Sequence, residues 1–164
     1  MSTEQPSLYK CSEPWVFRGV DREALPGQKI AMSLDFKVDA KRMFNALVGP
    51  EYREIWLCLP GQDESFSTVA SQISDYYRLE FCRRGHPELV IAGLYHTCRR
   101  RKLQFTWQKF ATSGNTQSFV DIRLEGHFGN TVLHLNHFGL LSSKECLWHK
   151  NMWQASLQKL RHLF

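Results

Sequence analysis

Residues 143–164 contain neither glycine nor proline, and Cys146, His149, Trp153, Leu157, Leu160 and Phe164 recur there at three- and four-residue steps. That spacing puts them on one stripe of an α-helix. At about 1.5 Å per residue the helix would run roughly 30 Å, enough to cross the face of a sheet. Ser142-Ser143 ahead of Glu145 supplies its N-cap region. No other segment offers an apolar stripe of this size, so a sheet built by the rest of the chain has this helix to bury against.

The rest of the chain does read as sheet. Ile30, Met32, Leu34 and Phe36 alternate with mostly polar neighbours, which predicts a half-buried strand. Asp39 then stands where an N-cap belongs, and Met43, Phe44 and Leu47 have helical spacing up to Gly49-Pro50. Tyr52, Ile55 and Trp56 predict a second short helix, ended by Pro60-Gly61. Strand patterns follow. Phe66 to Ile73 is the weakest; Tyr77, Leu79 and Phe81 share one face of the next, up to Arg83-Arg84-Gly85. Leu89 to Thr97 places Ile91, Gly93 and Tyr95 together, and Leu103, Phe105 and Trp107 alternate with Gln104, Thr106 and Gln108. Beyond a turn at Ser113-Gly114-Asn115 come Val120, Ile122 and Leu124, and beyond Gly129-Asn130 come Leu133, Leu135 and His137. Successive strands on short turns make an antiparallel meander. The expected class is α+β: a curved sheet of about seven strands wrapped around a long C-terminal helix, with two short helices after the first strand. Residues 27–164 form the single domain, and residues 1–26 an irregular arm that could pin Trp15 and Phe17 onto it.

Composition narrows the function. A chain of 164 residues can bury a real core. Its five cysteines, Cys11, Cys58, Cys82, Cys98 and Cys146, are odd in number and form no CxxC pair, which suits reduced thiols of a cytoplasmic protein. The first ten residues have no apolar signal core, and no apolar run approaches the ~20 residues of a membrane span. The cations Arg99-Arg100-Arg101-Lys102 would be a nucleic-acid handle if exposed aromatics followed them. Leu103, Phe105 and Trp107 instead share a period-two face directed inward, and the cations fall at a hairpin bend where they are easily solvated. A net charge of +5 is also modest for a nucleic-acid domain.

Candidate chemistry is sparse. His134 and His137 lie three apart on a strand, so they point to opposite faces and cannot chelate one metal together. His137 and His149 both belong to inward stripes and can approach each other, but two histidines without a third ligand make a poor metal site. Asp35, Asp121 and Glu125 alternate with apolar residues and are expected to face outward. Cys146 stands three residues before His149 on the helix, yet free cysteine usually serves as core. No GxSxG, phosphate loop or HExxH occurs. No cofactor, metal site or catalytic residue is therefore assigned.

Several segments resemble one superfamily. The stretch Phe36 to Leu47 is similar to the opening strand and helix of the SRPBCC (START/Bet v-like) proteins, and Glu51 to Trp56 to their second helix. Ile91-Ala92-Gly93-Leu94-Tyr95, Leu103 to Trp107, Ser118 to Ile122, Thr131 to His137 and the helix His149 to Leu160 resemble the branch of activators of heat-shock protein ninety ATPase. The resemblance runs from about residue 29 to 164. It implies a helix-grip fold with a cavity between sheet and helix. Such a cavity would be lined by Tyr77, Leu79, Phe81, Ile91, Tyr95, Phe105, Trp107, Val120, Ile122, Leu135, His137, His149 and Trp153, with Tyr77, Tyr95, His137 and His149 as polar anchors. The expected activity is non-catalytic binding of a hydrophobic or aromatic small molecule. The alternatives are a co-chaperone-like module that docks on a protein partner through the sheet's outer face or the basic hairpin, and a cyclase- or hydratase-like enzyme using a cavity His or Tyr.

Overall fold

The structure is a computed structural model that describes residues 27–111 and 114–164, with residues 111 and 114–116 described by their backbone alone. The arm 1–26, with Trp15 and Phe17, lies outside the described residues. The elements in chain order are β1 (Gln28–Phe36), α1 (Ala40–Val48), α2 (Pro50–Trp56), β2 (Phe66–Ile73), β3 (Tyr76–Arg83), β4 (His86–Arg99), β5 (Lys102–Ala111), β6 (Gly114–His127), β7 (Asn130–Leu140) and α3 (Ser143–Arg161). Of the turn expected at Ser113 to Asn115, Gly114 and Asn115 belong to β6 instead, and Ser113 lies outside the described residues.

One antiparallel sheet contains seven strands in the order β1-β7-β6-β5-β4-β3-β2. The first strand takes one edge. The two short helices then carry the chain to the opposite edge, where β2 starts a meander that runs back strand by strand until β7 pairs with β1. Helix α1 begins where expected, with the Asp39 carboxylate accepting the Arg42 backbone N–H at 2.8 Å. Helix α3 begins the same way, Ser142 Oγ accepting the Glu145 N–H at 3.1 Å. It lies against β1, β7 and α2. His149, Trp153, Leu157 and Leu160 are buried as the stripe requires, joined by Met152 and Ser156. Phe164 falls beyond the helix and is 39% exposed, with the Arg42 guanidinium 5.6 Å from its ring. No helix among the described residues is long and apolar enough to cross a membrane.

Two sequence expectations change. Of the residues that predicted α2, Trp56 is buried but Tyr52 and Ile55 are exposed, and the helix buries Arg53 beside Trp56. Pro50 starts the helix and Trp56 Nε1 donates to the Ala46 carbonyl at 2.8 Å, which docks α2 on α1 and fixes its rotation. Asp121 is on the outer face as its alternation demands, but it is buried there. Gln104 Nε2 donates to it at 3.4 Å, and the Arg123 side chain lies over it. Thr97 Oγ1 bonds Gln104 Oε1 in turn, so a polar band runs across β4, β5 and β6.

The basic stretch forms the β4–β5 hairpin. Arg99 pairs with Lys102, Arg100 and Arg101 turn the chain, and all three arginines are exposed. Arg101 has φ +65° and its carbonyl accepts the Leu124 N–H at 2.9 Å. Leu103, Phe105 and Trp107 beyond it are buried. Changing Arg99, Arg100 and Arg101 to Gln should therefore shift the free energy of unfolding by no more than about 0.5 kcal/mol per site. Guanidinium denaturation checks this; a loss of several kcal/mol would mean that the arginines are built into the fold.

Candidate functional site

The inward faces of β3, β4 and β5 bring together a run of rings. Tyr77, Tyr95 and Phe105 form a triangle with centroids 5.3–5.7 Å apart. Phe105 continues to Trp107 at 6.3 Å, and Trp107 meets Trp153 of α3 at 5.1 Å. Cross-strand register sets this up: Tyr95 faces Phe105 directly, just before a bulge between Tyr95 and Thr97. Gly93 makes a further close approach possible. A Cβ there would lie 2.0 Å from the Thr106 carbonyl oxygen, the same oxygen that the Tyr77 hydroxyl donates to at 2.5 Å. Only glycine leaves room for that hydroxyl to cross from β3 to β5.

These rings surround an internal void of about 20 Å³. It is lined by Tyr77, Leu79, Tyr95, Phe105, Trp107, Ile122 and Trp153 from the expected set, and also by Leu47, Arg53, Trp56, Leu57 and Leu103. Phe81, Ile91, Val120, Leu135, His137 and His149 are buried around it without bordering it. A void of this size holds about one water molecule.

His137 and His149 do meet, with ring centroids 4.9 Å apart. Both are buried in the seam between α3 and the sheet. The hydrogen bonds assign their tautomers. Trp153 Nε1 donates to His137 Nδ1 at 3.0 Å, so Nδ1 is the bare nitrogen. His137 Nε2–H then donates to Ser118 Oγ at 2.7 Å, and Ser118 Oγ donates to the Trp107 carbonyl at 3.2 Å. This chain ties α3 to β7, β6 and β5, and both nitrogens of His137 are committed to it. His149 Nδ1–H donates to the Glu145 carbonyl at 2.7 Å, leaving Nε2 as an acceptor with no partner among the described residues. Burial pushes His137 well below the usual histidine range, and the nearby His149 adds to that. Burial also lowers His149, against a smaller opposing pull from Glu145.

His134 points the other way, as its position predicts, and bonds Ser33 and Glu125 on the outer face. Among the described residues no three His, Cys, Asp or Glu side chains cluster to hold a metal. Burial pushes the Cys58, Cys82 and Cys98 thiols upward, which disfavours their nucleophilic form. Cys146 is only half-buried, and the nearby His149 gives its Nδ1–H to the Glu145 carbonyl.

The residue that sequence reasoning missed is Arg53. It is 3% exposed and borders the void. Its guanidinium donates to Tyr95 Oη at 2.6 Å, to the Val48 carbonyl at 3.0 Å and to Gln72 Oε1 at 2.5 Å. It also stands 5.7 Å from the Tyr95 ring centroid and 5.9 Å from that of Tyr77. No carboxylate pairs with it among the described residues. Burial raises Tyr95 to about 12, although Arg53 pulls it down. A signal for Arg53 was present: it precedes Trp56 by three residues, so the two share one helix face. Ser156 was missed too. Its hydroxyl accepts the Cys58 N–H and donates to the Cys58 carbonyl, both at 3.0 Å, latching the segment after α2 to α3.

No family model matches the chain, and no curated protein does. Solved structures do. An AHSA1 protein from Silicibacter pomeroyi is 19% identical with a TM-score of 0.68, over 82% of this chain and 96% of that one. A protein from Chromobacterium violaceum is 17% identical with a TM-score of 0.66, over 82% and 95%. An HSP90 activator from Plasmodium falciparum is 14% identical with a TM-score of 0.61, over 84% and 96%. The ordered strands, the two short helices and the C-terminal helix give this chain an α+β helix-grip fold, similar to that of the AHSA1 protein and the HSP90 activator.

Proposed function

We propose that the protein binds a hydrophobic or aromatic small molecule, without catalysis, in the aromatic compartment between the sheet and α3. The observation that carries this reading is the unfinished polar wall of that compartment. Arg53 Nε and Trp107 Nε1 are buried N–H donors of residues lining the void, and neither has a partner among the described residues. An unmade buried hydrogen bond costs about 1–3 kcal/mol. In a compartment used only for packing, such donors are a standing loss; in a binding compartment, the ligand satisfies them. Ligand pockets commonly measure roughly 300–1,000 Å³, so a void of about 20 Å³ must widen on binding. Widening requires α2, only seven residues long, or the Trp153 side of α3 to move aside when the ligand enters.

Titration with the neutral apolar fluorophore N-phenyl-1-naphthylamine tests this. Saturable uptake is expected, with brighter probe emission and quenching of the Trp107–Trp153 pair. No uptake by the folded protein of this probe or of its sulfonated analogue 1-anilinonaphthalene-8-sulfonate would end the small-molecule reading.

One observation favours the second reading, docking on a protein partner. A surface groove of about 470 Å³ between α1 and the β4–β5 hairpin is lined by Ala40, Lys41, Phe44, Asn45, Arg100 and Arg101. None of its three cations forms an ion pair among the described residues. It takes first place if the interior admits no probe.

A further inference from the structure

We infer that the compartment selects apolar molecules that carry an anionic head group, and that Arg53 receives it. This rests on the small-molecule reading above and adds the class of ligand.

The first step is the charge. Arg53 is 3% exposed and its acceptors are a phenol, a backbone carbonyl and a side-chain amide, all neutral. Burying an unpaired cation is far more costly than burying a polar group. If the side chain served only to join α1, β2 and β4, the neutral hydrogen bonds would explain its contacts but not its charge. An anion bound beside it would compensate that charge.

The second step is the inventory of spare hydrogen-bonding capacity. A guanidinium has five N–H groups. Three are used, and Nε is among the buried atoms without a partner. Tyr95 Oη accepts from Arg53, and its own hydrogen has no acceptor among the described residues. Trp107 Nε1–H is likewise unmatched. The other N–H and O–H groups of the lining are used up: Tyr77 Oη–H by Thr106, Trp56 Nε1–H by Ala46 and Trp153 Nε1–H by His137. What remains is a set of donors and the lone pairs of two neutral phenol oxygens, with no carboxylate in the lining to meet the guanidinium. A ligand must therefore bring acceptors. The group that accepts from several donors and neutralises a guanidinium is a carboxylate or a comparable oxyanion.

The third step is placement. Arg53, Tyr95 and Tyr77 occupy one end of the compartment, since Arg53 lies over both tyrosine rings. Phe105, Trp107 and Trp153 extend away from it. The anion belongs at the Arg53 end and the apolar body along the tryptophans.

Two fluorophores with the same arylaminonaphthalene skeleton test this: neutral N-phenyl-1-naphthylamine and 1-anilinonaphthalene-8-sulfonate. The wild type, held under conditions where near-UV circular dichroism is native, should bind the sulfonate at least ten-fold more tightly. Arg53→Gln should abolish that preference, read as the ratio of the two affinities within the same variant. Arg53→Lys, which restores the charge without the fork, should recover part of it. Should Arg53→Gln fail to fold, Arg53→Lys by itself should reduce the preference several-fold. Equal affinities in the wild type would overturn the inference and leave the small-molecule reading standing. So would a preference that survives in Arg53→Gln, since the sulfonate would then sit on surface cations such as Lys41, Arg100 and Arg101. Uptake of neither probe would overturn the small-molecule reading itself.

Discussion

Trp153→Ala should destabilise the protein by about 3–5 kcal/mol in chemical denaturation, the range for truncating a large aromatic in a core that cannot collapse around the gap. Two separate losses add here. Trp153 is 1% exposed and packs 5.1 Å from Trp107, so its removal opens a cavity beside a void that already exists. It also leaves His137 Nδ1 without its donor, deep in the seam. Trp153→Phe separates the two, since it keeps most of the apolar volume and deletes the N–H. Its cost should be nearer 1–3 kcal/mol, the range for a buried acceptor left unmatched. The Ala variant should also respond differently to the neutral naphthylamine, because its compartment is larger. A loss below about 1 kcal/mol for Trp153→Ala would show that α3 is not held by this contact, and that the helix grip rests elsewhere.

The meander and the last helix were legible because each repeats one period over many residues. Leu103, Phe105 and Trp107 alternate inside a ten-residue strand, and His149, Trp153, Leu157 and Leu160 mark one stripe of a nineteen-residue helix. Helix α2 has only seven residues, too few for its apolar positions to define a face, and the docking of Trp56 on Ala46 turned it so that Arg53 went inside. Asp121 had its face right and its exposure wrong, because alternation reports direction and says nothing about what lies over a side chain. The compartment's volume was out of reach for a similar reason: it is a small difference between ring positions set by a bulge after Tyr95 and by the absence of a side chain at Gly93. The approach of His137 to His149 followed from two periodicities crossing. The reason both are neutral required knowing their partners, Trp153, Ser118 and the Glu145 carbonyl.

Those two histidines make the protein's stability fall in mild acid. Both have folded-state values below the ordinary 6.5, His137 the more so, because burial disfavours the imidazolium. The unfolded chain therefore takes up protons near pH 6.5 that the folded protein refuses. Their stabilising contribution is fully present above that pH and is lost as pH falls towards the folded values. Each histidine that lags contributes a slope of about 1.4 kcal/mol per pH unit. Of the charged groups around His149, Glu145 opposes the shift and Lys109 reinforces it; Lys109 and Glu145 also pair with each other at 3.2 Å. Protonation has a structural consequence too, since an imidazolium at His137 can no longer accept the Trp153 N–H, and the chain from α3 to Ser118 opens at its first link. Guanidinium midpoints should change little between pH 7.5 and 6.5 and fall clearly between 6.5 and 5.5. His149→Gln, which stays neutral across that range, should flatten the slope, by less than half because His149 is the less shifted of the two. A midpoint unchanged from pH 7.5 to 5.5 would mean that both rings titrate as freely folded as unfolded, which their burial against Trp107 and Trp153 does not allow.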